Sequence, residues 1–193
     1  MSQITCPVCA KTTLSIKEVP YEVPYFGQIL IITMQCSTCG FSHRDVINLS
    51  VHEPTRYEVT IENVEDLSIR VVRSSSATIR IPELGIHVEP GPLAEGFVSN
   101  VEGLLERVKN IVMGLKMSTE DPKEREKYEG FLKKVQNARD GKTKFTVILE
   151  DPLGNSAIIS EKKEKVRRRT LSEREVKRLK TGYVVLTRVP QKG

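Results

Sequence analysis

Tryptophan is absent from the 193 residues, and Phe and Tyr contribute only five residues each. The composition is that of a soluble globular chain with a lean core, since apolar residues make up 38% and charged residues 28%. Long apolar runs are missing as well. Nothing approaches the roughly 18 consecutive apolar residues of a membrane-spanning helix, and Ile29-Leu30-Ile31-Ile32 is only strand-sized. The opening Met1-Ser2-Gln3-Ile4-Thr5-Cys6 has no basic stretch followed by an apolar one. No secretory leader is therefore expected, and the chain reads as cytoplasmic. Catalytic signatures are also scarce. Gly141-Lys142-Thr143 imitates the end of a P-loop, but the earlier glycine that motif requires would fall at Gln136. His43, His52 and His87 lie on separate predicted strands or turns, so no histidine metal site is expected.

Charge is present but unevenly placed. The net charge is +5, yet residues 161–193 hold 12 Lys/Arg against 4 Asp/Glu, while residues 1–160 hold 18 against 21. The body is mildly acidic and the basicity belongs to the tail. A charge run is ordinarily solvated; the alternative is electrostatic contact with RNA or with an acidic ribosomal component.

Cysteine carries the clearest signal. Cys6-Pro7-Val8-Cys9 and Cys36-Ser37-Thr38-Cys39 are two CxxC pairs separated by 26 residues. Two disulfides or a redox-active CxxC are the competing readings, and a reducing compartment disfavours the first. Two CxxC turns aim four soft thiolates at one ion, which suits tetrahedral zinc with metal–sulfur bonds of about 2.3 Å. Four sulfurs leave no open position for a catalytic water, so one structural Zn2+ is predicted. Between the pairs, Thr12–Val19 and Gln28–Gln35 are β-branched-rich and predict an antiparallel ribbon. Within residues 1–50, Lys11, Lys17 and Arg44 balance Glu18, Glu22 and Asp45. With Tyr21, Tyr25, Phe26 and Phe41 as its only Phe or Tyr rings, this ribbon suits protein binding better than nucleic-acid binding.

The stretch that follows predicts short strands at Val46–Val51, Tyr57–Ile61, Leu67–Val72, Thr78–Ile81 and Ile86–Val88, the pattern of an antiparallel sandwich or barrel. From Asn100 the apolar residues Val101, Leu104, Leu105, Val108, Ile111, Val112 and Leu115 fall on one face of a helix that Ser99 or Asn100 can cap. A second helix opens at Asp121-Pro122, carries Tyr128, Phe131, Leu132, Val135 and Ala138, and ends at Gly141. Phe145–Glu150 and Ala157–Ser160 flank the turn Asp151-Pro152-Leu153-Gly154-Asn155-Ser156 and return to β structure. In the tail, Ser172 caps a short helix bearing Val176 and Leu179, and Tyr183–Val189 reads as a final strand.

These residues resemble the ZPR-type zinc-finger proteins. The resemblance runs from about residue 4 to about residue 160. It is carried in order by the paired CxxC motifs with Gly40-Phe41, Glu65-Asp66-Leu67, Arg70-Val71-Val72-Arg73-Ser74, Ile81-Pro82-Glu83-Leu84, Val101-Glu102-Gly103-Leu104-Leu105 and Asp151 to Ser156. It implies a mainly β (α+β) fold: a four-cysteine zinc ribbon at 1–45, an antiparallel double-stranded β-helix (jelly roll) at 46–160 interrupted by a helical hairpin at about 100–140, and a basic tail at 161–193. It further implies a single unit of the archaeal kind. The implied activity is non-enzymatic, that of a chaperone or adaptor binding translation elongation factor 1-alpha. Cys6, Cys9, Cys36 and Cys39 are the expected metal ligands. Arg70, Arg73, Ser74 and Glu83 lie inside the motifs and are candidates for the partner surface or for internal ion pairs. Ser74-Ser75-Ser76 beside Arg73 suits an anion or a peptide carboxylate, or a turn whose hydroxyls satisfy backbone groups. RNA binding through the tail is the alternative function.

Overall fold

The computed structural model describes residues 4–23, 27–49, 53–91 and 94–180. Strands β1 (Leu14–Val23), β2 (Gly27–Cys36) and β3 (Ser42–Asn48) form an antiparallel sheet in the order β1-β2-β3. Its register pairs Leu14 with Cys36 and Gln35 with Ser42, which brings both cysteine turns to one end. Strand β1 runs past Pro20, beyond the predicted end at Val19. An edge strand tolerates this, because a proline there need not cost the sheet a ladder bond. The strand expected to start at Val46 instead begins at Ser42 and pairs with β2.

The remaining strands make two further antiparallel sheets. Strands β4 (Thr55–Ile61), β5 (Arg70–Arg73), β6 (Thr78–Ile81), β7 (Ile86–Val88) and β8 (Phe97–Asn100) precede helices α1 (Val101–Ser118) and α2 (Pro122–Arg139). Strands β9 (Phe145–Asp151), β10 (Ala157–Ile159) and β11 (Val166–Thr170) and helix α3 (Glu173–Val176) follow. The sheets run β11-β4-β9-β6-β7 and β10-β5-β8. Alternation along β4 and β9 buries Tyr57, Val59, Ile61, Phe145, Val147 and Leu149 in a core shared with Val71, Leu104 and Leu105. This is the expected mainly β architecture with an inserted helical hairpin.

Two departures have local causes. Glu65–Ser68 is a 3-10 turn where a strand was expected from Leu67. There Asn63 Oδ1 accepts from Asp66 N–H and Asp66 Oδ2 accepts from Glu62 N–H, local bonds that compete with a sheet ladder. Strand β8 is missing from the sequence pattern because it is four residues long and half of it is Ser and Asn.

Asn100 caps α1 by accepting from Gly103 N–H at 2.8 Å, and Asp121 caps α2 through Lys123 N–H at 2.9 Å. At the far end of α2, Gly141 adopts φ 71°, Gly141 N–H donates to Ala138 O, and Lys142 N–H donates to Asn137 O. These are the paired bonds of a Schellman stop. Only the base of the hairpin packs on the sheets. Val101, Leu104, Leu105 and Val108 are buried, whereas Ile111 and Leu115, predicted on the same stripe, remain exposed. Among the described residues no helix is long and apolar enough to cross a membrane.

The basic segment docks in part on the body. Strand β11 pairs with β4 from Val166–Val59 to Thr170–Thr55, and Lys165 Nζ meets Asp66 Oδ1 at 2.5 Å. The Ser172–Glu175 capping box opens α3 as expected, but the helix ends at Val176, short of the predicted Leu179, and the predicted strand Tyr183–Val189 lies outside the described residues. Burial opposes ionisation of Asp66, but the Lys165 ammonium and the Glu62 N–H outweigh it and hold the carboxyl below its usual range. A carboxyl depressed on folding adds stability above its unfolded pKa of about 3.9, and that stability is lost as pH falls through the folded value. Asp66→Asn should therefore cost roughly 1 kcal/mol at pH 7 and nothing once both forms are protonated. Urea midpoints at the two pH values check this, and an equal deficit in acid would contradict it.

Candidate metal centre

The two cysteine turns are built alike. Cys6 N–H donates to Lys11 O at 2.9 Å and Cys6 O accepts from Ala10 N–H at 2.9 Å. Thirty residues on, Cys36 N–H donates to Phe41 O at 2.8 Å and Cys36 O accepts from Gly40 N–H at 3.1 Å. The closing residue is left-handed in both, with φ 55° at Ala10 and 73° at Gly40. A left-handed L-residue costs about 1–2 kcal/mol, against about 0.4–1 kcal/mol for the extra unfolded-state freedom of glycine. Ala10→Gly should therefore raise the stability of the metal-loaded protein by roughly 0.5–1 kcal/mol. A urea midpoint that stays put or falls would contradict the strain.

Each turn tips its sulfurs inward. All four Sγ atoms lie within 4.8 Å of one another, with Cys6–Cys39 and Cys9–Cys36 at 3.7 Å. A disulfide would need about 2.05 Å. A tetrahedral ion with bonds of about 2.3 Å spaces its sulfurs by about 3.8 Å. The donor set is thus dimensioned for one zinc, whose chemistry here is to cross-link the two turns. The Thr13 hydroxyl lies 3.3 Å from Cys36 Sγ and, with the Cys39 N–H, brings that thiol down to about 6. Despite the Phe41 N–H, local desolvation and the crowding Cys36, Cys9 and Cys6 sulfurs push the exposed Cys39 up to about 12. Four such thiols cannot ionise together without a cation between them, so metal binding must release protons.

The motif residues from β5 onward lie elsewhere. Arg73 and Ser74 are buried, Arg70 is half-exposed and Glu83 is exposed, with Glu83 Oε2 accepting from Thr146 N–H at 3.0 Å. The serine hydroxyls meet the protein's own carboxylates. Ser74 and Ser76 donate to Asp151 at 2.8 and 2.7 Å, joined there by Ser156 Oγ at 2.6 Å and Leu153 N–H at 2.9 Å. Ser75 donates to Asp45. The Arg-Ser and Asp-Pro-Leu-Gly-Asn-Ser motifs thus converge on one internal network. The sequence pattern did not single out Asp45, because nothing local marks a carboxylate whose partner lies thirty residues away.

No histidine group forms among the described residues. His43 lies on β3, His87 on β7 faces Glu89 at 3.6 Å, and His52 is outside the described residues. Among the described residues the cysteines are the one cluster suited to a metal. Among the described residues, apolar side chains gather at the surface on the ribbon and on the hairpin. On the ribbon, the register puts the exposed Ile16 and Ile47 on one face with the half-buried Leu30, Ile32 and Met34, opposite the buried Ile29 and Val46. On the hairpin, a groove of about 660 Å³ is lined by the apolar Met113, Met117 and Leu132 and by the cations Lys109, Lys116, Arg125 and Lys133. Met117 is 81% exposed.

Comparison with known proteins agrees with this geometry. Residues 1–50 match the ZPR1 zinc-finger domain and residues 65–182 the ZPR1 jelly-roll domain. The chain is 48% identical to a ZPR1-like protein of Methanocaldococcus jannaschii over 96% of its own length and 93% of the relative's. It is 44% identical to a ZPR1-like protein of Pyrococcus horikoshii, with 96% and 85% covered. A zinc finger chaperone of Schizosaccharomyces pombe is 32% identical over 160 residues, which cover 79% of this chain and 33% of that one. With both domains matched in order and a four-sulfur site dimensioned for zinc, the chain belongs to the ZPR1 zinc-finger family.

Proposed function

We propose that the protein is a zinc-dependent, non-enzymatic chaperone or adaptor that binds translation elongation factor 1-alpha in the cytoplasm. The observation that carries the reading is the apolar surface partly exposed on the ribbon face and lining the hairpin groove. A small protein leaves contiguous surface of this kind uncovered where it contacts another protein. The methionines of the groove suit a client that changes shape, because their side chains repack readily. The fission-yeast relative is named a chaperone, and the family resemblance carried by the ordered motifs supports the elongation factor as client. Of the four motif residues, Arg70 and Glu83 would touch the partner directly, and Arg73 and Ser74 would support the surface from beneath.

The test is retention of the cognate elongation factor on the immobilised zinc-loaded protein, in the GTP-bound, GDP-bound and nucleotide-free states. Binding in at least one state, weakened at least tenfold by Met113→Asp, is expected. Failure in all three states rejects the reading. RNA binding remains the second reading, carried by the exposed Arg167, Arg174, Lys177 and Arg178 of the β11–α3 segment. It requires affinity that falls steeply with salt and disappears when residues 161–193 are removed.

A further inference from the structure

One turn makes hydrogen bonds to both the ribbon and the jelly roll. Ser74, Ser75 and Ser76 connect β5 to β6, and their polar groups point two ways. Toward the ribbon, Ser75 donates from its N–H at 3.0 Å and its Oγ at 2.7 Å to Asp45 on β3. Toward the jelly roll, Ser74 and Ser76 hold Asp151 at the end of β9. The Arg73 guanidinium, 4% exposed, lies in the field of both carboxylates, and its Nη1 donates to Glu95 O at 2.8 Å. Its Nε is buried without a hydrogen-bond partner. Gly96, the next residue along, donates its N–H to Arg44 O at 3.0 Å, and a Cβ there would stand 2.7 Å from Val46 N. The two backbones therefore touch, over a buried cluster of Val23, Ile29 and Val46 from the ribbon and Val72 from β5.

We propose that this turn is a relay through which metal occupancy of the ribbon sets the order of the small jelly-roll sheet, β10-β5-β8. The strand bearing Asp45 leaves the second cysteine turn at Ser42, so the metal anchors its start. Without that anchor β3 slackens and Asp45 withdraws from Ser75. Arg73 then keeps Asp151 but loses one of the two negative charges that offset its burial. A buried cation stripped of counter-charge is strongly destabilising where it stands. The adjoining strand β5 and its partner β8 loosen in response, while the pair β4 and β9, whose Asp151 keeps its bonds to Ser74 and Ser76, stays closed. Metal loss is thereby reported on a surface that holds no metal ligand. The inference rests on the structural zinc and not on the identity of the client, so either can fail alone.

Amide hydrogen exchange of the full chain, read by mass spectrometry, tests it. In the wild type, chelation should speed exchange at least tenfold over β5 and β8 as well as over residues 4–49, with β4 and β9 unchanged. Zinc-loaded Asp45→Ala should already exchange fast at β5 and β8 while retaining one zinc per chain. Ser75→Ala, which keeps the N–H bond, should shift the same way by less and covers the case in which Asp45→Ala does not fold. Three results would each overturn the relay. They are β5 and β8 staying protected after chelation, wild-type exchange in both variants, and uniform loss across the chain including β4 and β9.

Discussion

Chelation of the metal should unfold the ribbon. Its own core at the cysteine end is small, with Cys6, Leu14 and Cys36 buried and Cys9, Met34 and Phe41 packed on them. Most of β1 is exposed on both faces, so strand pairing there has little burial behind it. Structural zinc contributes about 10–16 kcal/mol in isolated fingers near neutral pH, far more than this cluster of side chains can replace. The expected result is loss of amide dispersion over residues 4–49 on adding a strong chelator, reversed by zinc. Cys36→Ser should remove one ligand and with it stoichiometric metal at micromolar protein. Acid should act in the same direction, because the ligands must shed protons to bind: affinity falls as pH falls, and loading at neutral pH acidifies an unbuffered solution. A ribbon that keeps its fold after complete metal removal would show that the sulfurs are packed for some other reason.

Asp151→Ala should be the most damaging single change in the jelly roll. The carboxylate is 1% exposed and accepts from three serine hydroxyls and the Leu153 N–H. Truncation strands those donors and takes a negative charge away from the buried Arg73. Breaking a buried, hydrogen-bonded charge costs about 3–5 kcal/mol, a large share of the roughly 5–15 kcal/mol that holds a domain together. Ser76→Ala removes one donor and leaves the carboxylate otherwise satisfied, so about 1–2 kcal/mol is expected. Urea denaturation of the zinc-loaded variants gives both figures. Equal costs for Asp151→Ala and Ser76→Ala would mean that the carboxylate is not the hub.

The metal centre was legible because its chemistry is local in sequence. A CxxC turn declares both ligands within four residues, and two such turns leave little else for the sulfurs to do. The helical hairpin was legible for the same reason, since apolar periodicity and the caps at Asn100, Asp121 and Gly141 are all local. What the periodicity could not reveal is how far the hairpin projects. Ile111 and Leu115 continue the stripe of Leu104 and Val108, yet no sheet lies beneath them. Long-range polar pairing was equally invisible. Ser74 to Ser76 read as a turn or an anion cradle, and the anions proved to be Asp151 and Asp45, 77 and 30 residues from their serine partners. The basic segment read as a charge run, and its pairing with β4 depends on an edge that only the assembled sheet provides. Docked there, Arg168 lies 5.9 Å from the centre of the Tyr57 ring and Lys180 pairs with Glu89 at 2.6 Å. Part of the tail charge is therefore already engaged by the body.

The most direct test of a zinc-dependent chaperone is refolding of its client. Denatured cognate elongation factor 1-alpha is diluted into buffer with a stoichiometric amount of the protein, and recovery of nucleotide binding is measured. Zinc-loaded protein should raise the recovered fraction several-fold over buffer alone, and chelated protein or Cys36→Ser should not. Equal recovery with loaded protein, metal-free protein and buffer would contradict the account.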